Sequence, residues 1–166
     1  NYSGSDSFTF KANDGSTDSN TATVSISVAS VNDSPVVSNQ SVEVNEDGTV
    51  SITLVGSDID GDSLIFTIVS QPKNGSISGT VPNLTYSPKA NYSGNDSFTF
   101  KANDGDADSN TATVTISVAR VNDKPLIAGQ SVNVDEDGSV SISLDGSVAD
   151  GDDLSFTVVN QPESGA

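Results

Sequence analysis

This 166-residue chain encodes an all-β architecture: tandem seven-stranded antiparallel Greek-key sandwiches with a period of about 90 residues. Two observations carry that expectation. The first is repetition. NYSGSDSFTFKANDG at residues 1–15 returns as NYSGNDSFTFKANDG at 91–105, with fourteen of fifteen positions identical at an offset of 90. The match runs on at 15 of 20 positions between 16–35 and 106–125, and at 23 of 41 between 36–76 and 126–166. A unit of this size is too long for a solenoid repeat and has the length of a domain in a tandem array. The second observation is hydrophobic alternation with period two, and no apolar spacing of 3.6 over a helix length.

The complete unit, residues 35–124, gives its strands in order. Residues 41–44 and 50–54 alternate apolar with polar, as do 64–68, 98–102 and 112–118, and all are rich in Val, Ile, Thr and Phe. That composition on that period makes half-buried strands. Shorter strands are expected near 76–78 and 84–87. Turn chemistry divides them: Glu46-Asp47-Gly48, Asp60-Gly61-Asp62, Gln71-Pro72-Lys73-Asn74-Gly75, Ser87-Pro88 and Asn103-Asp104-Gly105. Seven such strands in one unit point to an immunoglobulin-like sandwich, without the Cys–Trp–Cys core, since both residue types are missing. The inward positions predict a core of Ile52, Leu54, Leu64, Phe66, Ile68, Leu84, Tyr86, Phe98, Phe100, Val114, Ile116 and Val118.

The complete unit is flanked by residues 1–34, which hold the last two strands of one copy, and 125–166, which hold the first three of another. The junctions read VNDSP (31–35) and VNDKP (121–125). Proline withholds a donor from the next strand and keeps the preceding residue extended, so each junction is a short, stiff connector. A lone hairpin or an incomplete sandwich exposes apolar faces and unpaired edges. Three arrangements meet that problem: a window on a longer array, pairing of the two partial units between copies head-to-tail, or fraying ends.

The formal net charge is −17, and there is no His, Cys, Met or Trp. A surface this acidic excludes nucleic acid as an expected partner, because phosphate binding needs Lys and Arg. No apolar run reaches the roughly 18 residues that span a bilayer, so membrane insertion is not expected. Cations are the natural partners. The acids gather in turns rather than along strands: Glu46-Asp47, Asp58-Ile59-Asp60-Gly61-Asp62, Asp96, then Asp104, Asp106 and Asp108, with Asn122-Asp123 at the junction. Calcium takes six to eight oxygen ligands and tolerates irregular geometry, which suits such turns, while Asx-turn and solubility chemistry is the plainer use of the same residues. An EF-hand is excluded. Gly61 falls inside the acidic triplet, and Val69 stands where a bidentate Glu is required. Catalysis is not expected either: without His or Cys only paired carboxylates or a Ser–Lys dyad remain, and a row of small sandwiches offers no obvious cleft.

The order VEVNEDGTVSI, SDIDGDSL, FTFKANDG, TATVTISV and VNDKP resembles bacterial cadherin-like domains, the tandem repeats of large secreted or surface-attached adhesins, and more distantly animal cadherins. The resemblance spans 35–124 and both partial copies. It implies calcium bound between successive domains, with an upper site of Asn32, Asp33, Asp58, Asp60 and Asp104, and a lower site of Glu46, Asn122, Asp123 and Asp150. Two departures stand out. The acidic triplet that cadherins carry ahead of the sixth strand has only Asp96 near its place, and SDID becomes SVAD in the third copy, so Val148 replaces the first acid of the pair; Asp145, Asp152 or Asp153 could compensate. The function implied is a calcium-stiffened extracellular spacer of an adhesin or surface fibre, touching neighbouring repeats of its own chain. The rival reading makes the repeats themselves adhesive or filament-forming.

Overall fold

The computed structural model describes residues 2–163, so Asn1 of the first repeated block and the last three residues of the third unit lie outside it. Eleven strands and no helix are present among the described residues. An isolated antiparallel hairpin comes first, β1 (Gly4–Phe10) with β2 (Ala22–Val28). The complete unit follows as β3 (Val36–Val37), β4 (Gln40–Asn45), β5 (Val50–Thr53), β6 (Gly56–Ser57), β7 (Ile65–Ser70), β8 (Gly75–Thr80), β9 (Asn83–Pro88), β10 (Gly94–Asn103) and β11 (Ala112–Ala119). One sheet is ordered β4-β11-β10-β7 and the second β5-β9-β8, while β3 and β6 form a separate two-stranded pair.

The all-β sandwich is as the alternation predicts, with two refinements. The first strand is split. Val37 bonds through both its N–H and its C=O to the Asn110 side chain, and Asn39 Oδ1 accepts from the Thr113 amide at 2.8 Å, so two asparagines carry the chain from the β3-β6 pair into the four-stranded sheet. The second refinement is that β4, once across, runs parallel to β11, from Val114↔Gln40 to Ala119↔Asn45; the remaining pairings are antiparallel.

Phe98, Phe100, Tyr86, Val114 and Ile116 are fully buried at the centre, with Ile52, Leu54, Leu84 and Val118 around them. Leu64, Phe66 and Ile68 of the predicted core pack against this cluster while remaining partly exposed. Val37, Val44, Ala102 and Ala112 complete it. Burying each large apolar side chain contributes about 1.5–3 kcal/mol. One glycine is dictated by this packing: a Cβ on Gly75 would lie 2.4 Å from the Tyr86 ring.

The three strands expected in 125–166 are not formed among the described residues. Leu126 and Ser147 make an isolated bridge, the counterpart of Val36↔Ser57. The Asp135–Gly138 turn repeats Asn45–Gly48, with positive φ at Asp137 and Asp47 and a closing amide bond at 3.0 and 3.1 Å respectively. What is missing are the ladders. In the complete unit β4 leans on β11 and β5 on β9, whereas among the described residues no strand pairs with 130–135 or 140–143 in that way. Turn chemistry is local and survives alone; a strand needs a second strand to pair with, as β1 has in β2.

Candidate functional site

The β3-β6 pairing places the 31–35 junction beside the loop after β6, so residues 27 apart in sequence meet: the Asp33 amide donates to Asp60 Oδ2 at 2.7 Å. The loop is built around Asp58. Its Oδ1 accepts from the amides of Asp60 (2.9 Å), Gly61 (3.1 Å) and Asp62 (3.3 Å), a side-chain cap that turns the backbone back on itself. This folding brings oxygens of Asp58, Asp60 and Asp62 within 4.8 Å of one another. Asp58 Oδ2 is buried and has no hydrogen-bond donor.

From the β10–β11 turn, Asp104 reaches the same junction, its Oδ2 accepting from Asn32 Nδ2 at 3.0 Å. The amides of Ala107 and Asp106 cap its Oδ1, and these donors with Asn32 hold its carboxyl below the ordinary carboxylate range. Ser3, Ser30, Asn32, Asp60, Asp62 and Asp106 line the open cleft at this junction. The predicted upper set is thus linked as Asn32–Asp104 and Asp33–Asp60, with Asp58 beneath. Asp62 joins it, which the resemblance did not assign.

The predicted lower set divides. Glu46, on the turn after β4, is buried and accepts from the Val121 amide at 2.5 Å. The Asp123 amide donates to Asp150 Oδ2 at 2.5 Å, the counterpart of Asp33–Asp60. Asn122 Nδ2 bonds locally, to Asp123 O at 3.2 Å. Asp123 Oδ2 is buried without a donor, and burial, with the charges of Asp150, Asp47 and Glu46, pushes its carboxyl above the usual range. Asp150 differs most from the expected free ligand. Its Oδ1 accepts from Arg120 Nε at 3.0 Å, its side chain is only 3% exposed, and the Asp123 amide and the Arg120 guanidinium hold it below the usual range.

Asp96 is a structural acid. It lies inside β10, 7% exposed, and accepts from the Lys73 amide (3.0 Å), the Asn74 amide (2.9 Å), the Ser97 amide (2.9 Å) and Tyr86 Oη (2.9 Å). Burial would raise its carboxyl, but these four donors outweigh that and hold it low. Its signal in the sequence was parity: Asp96 shares the inward face with Phe98 and Phe100.

A family model described as a bacterial Ig domain matches residues 32–117. The integrin beta-like protein B of Dictyostelium discoideum is 32% identical over 133 residues, which is 70% of this chain and 7% of that protein. An endo-fucoidan hydrolase of glycoside hydrolase family 107 is 29% identical over 72% of this chain and 19% of its own, with a TM-score of 0.43. A chimeric titin is 19% identical over 69% of this chain and 62% of its own, with a TM-score of 0.33. The chain therefore spans a small share of the curated relative and of the hydrolase. With more than half of its length matched, and with strands paired in sheets as described, the chain belongs to the bacterial Ig domain family.

Proposed function

We propose that the chain is a run of extracellular spacer repeats whose first junction is stiffened by calcium, part of an adhesin or surface fibre that holds another binding domain away from the cell. The role is architectural rather than catalytic, in keeping with a family of structural domains. Among the described residues no helix is long and apolar enough to cross a membrane.

One observation carries the calcium reading: the donor-less, buried Oδ2 of Asp58, set in a loop whose three carboxylates converge. An oxygen so placed is costly unless a cation or proton meets it. Hard oxygen donors are the chemistry that calcium takes, so the residues fit the ion. Asp58, Asp60 and Asp62 would hold it, with Asp33, Asn32 and Asp104 adjacent across the junction. The ion supplies neutralisation of their charge. The residues themselves fix the junction to the loop by the Asp33–Asp60 bond and to the β10–β11 turn by the Asn32–Asp104 bond.

The test is thermal melting and small-angle scattering in calcium and in chelator, with magnesium and sodium at matched ionic strength as controls for screening. Free calcium a hundredfold above Kd should stabilise the folded unit by about 2.7 kcal/mol. Asp58→Asn with Asp60→Asn should remove that response. Identical melting temperature and dimensions with and without calcium defeat the proposal.

A further inference from the structure

The two junctions are built on the same pattern with one exchange of chemistry. Ser30 stands in the first where Arg120 stands in the second, and Asp58 in the first loop corresponds to Val148 in the second. Between Lys11 and Lys73 there is no Lys or Arg at all, so the first junction has no cation of its own in the sequence around it. The second has a guanidinium in place. Arg120 donates from Nε to Asp150 Oδ1 at 3.0 Å, and from Nη2 to Asp150 O at 2.9 Å and Asp152 Oδ1 at 3.1 Å. Asp150 and Asp152 are the counterparts of Asp60 and Asp62. Exposed ion pairs contribute little. This one differs because Asp150 is nearly buried and both of its carboxylate oxygens are taken, one by Arg120 and the other by the Asp123 amide. A planar guanidinium with several fixed donors suits that role better than an ammonium would.

We propose that Arg120 is the built-in counter-cation of the second junction, fixing its 147–153 loop without a metal ion. The two junctions then differ in kind: on the calcium reading the first answers to the ion, while the loop of the second is held constitutively. Asp123 Oδ2 is buried with no hydrogen-bond donor and so is not met by Arg120; the claim concerns the 147–153 loop alone. It holds whether or not the first junction takes calcium.

Two equivalent amides report on the two junctions, Asp33 (to Asp60) and Asp123 (to Asp150). Their proton shifts and exchange rates in the full chain, measured by NMR in chelator and then with calcium alone added, test the proposal. The Asp123 amide should be equally protected in both conditions, and Arg120→Ser should abolish that protection in chelator while core amides such as Phe98 stay unchanged. Adding Val148→Asp to Arg120→Ser should restore protection only when calcium is present. An Asp123 amide that needs calcium in the unaltered chain, or that ignores Arg120→Ser, overturns the proposal. An Asp33 amide indifferent to calcium overturns the calcium reading of the first junction instead and leaves this one standing.

Discussion

The hairpins β1–β2 and β10–β11 come from nearly the same sequence and are nearly the same local object. Gly4↔Val28 through Phe10↔Ala22 is repeated as Gly94↔Val118 through Phe100↔Ala112. Lys11 pairs with Asp18 as Lys101 pairs with Asp108, and the Ala12 and Ala102 amides both donate to a serine hydroxyl seven residues on, at 2.9 Å. Their surroundings differ completely. Phe8 and Phe10 are 54% and 51% exposed, while Phe98 and Phe100 are at 0%. Asp6 accepts from the next amide, Ser7, whereas Asp96 gathers four donors. Local sequence sets the register and the turn; burial, and the work of the acid, come from β7, β9 and the loop after β7.

The sharpest way to break this comparison is a pair of matched truncations. Phe98→Ala should cost the sandwich about 3–5 kcal/mol, the range for emptying a buried aromatic site. Phe8→Ala should stay within about 0.5 kcal/mol, as for an exposed position. Urea unfolding of each variant measures both, and equal losses would mean that the first hairpin is packed in solution.

The acid pair comes next. Asp96→Ala strands the Tyr86 hydroxyl and two loop amides, and should cost about 1–3 kcal/mol, the penalty for buried polar groups left without partners. Asp6→Ala should be nearly silent in the same unfolding curves.

The smallest effect sharpens the electrostatic side. The folded-state carboxyl of Asp96 lies below its ordinary value, so its contribution is complete above the unfolded value of about 3.9 and is lost as pH falls from there through the folded value. Melting temperature should therefore drop on acidification below about pH 4, and Asp96→Asn should flatten that limb. An unchanged limb would assign the acid sensitivity to other low-lying carboxyls such as Asp104 and Asp150.

Much of this was readable from residues alone, for physical reasons. Alternation on period two placed Phe98, Phe100, Val114 and Ile116 inward, because a strand has only two faces. Ala102 and Ala112 escaped that reading: alanine is too small to mark a face, yet both are buried in the core cluster. The split of the first strand escaped too, since Asn39 and Asn110 do their work by long-range side-chain bonds that no local pattern announces. At the site, the DxDxD loop was legible as a turn of acids. Its alliance with Asp33 depended on β3 pairing with β6, a matter of topology. Arg120 was hidden by its sign, a base among acids, although alignment of the copies sets it opposite Ser30.

The parallel pairing of β4 with β11 has a mechanical consequence. β4 follows the first junction and β11 runs into the second, with six residue pairs in register between them. Tension drawn along the chain from one junction to the other pulls these strands past each other lengthwise. The ladder is then loaded in shear, all its bonds at once, rather than opened like a zip from one end. Strength under load in this unit resides in that seam, and the resistance is set by how fast the seam yields, not by the equilibrium stability of the fold.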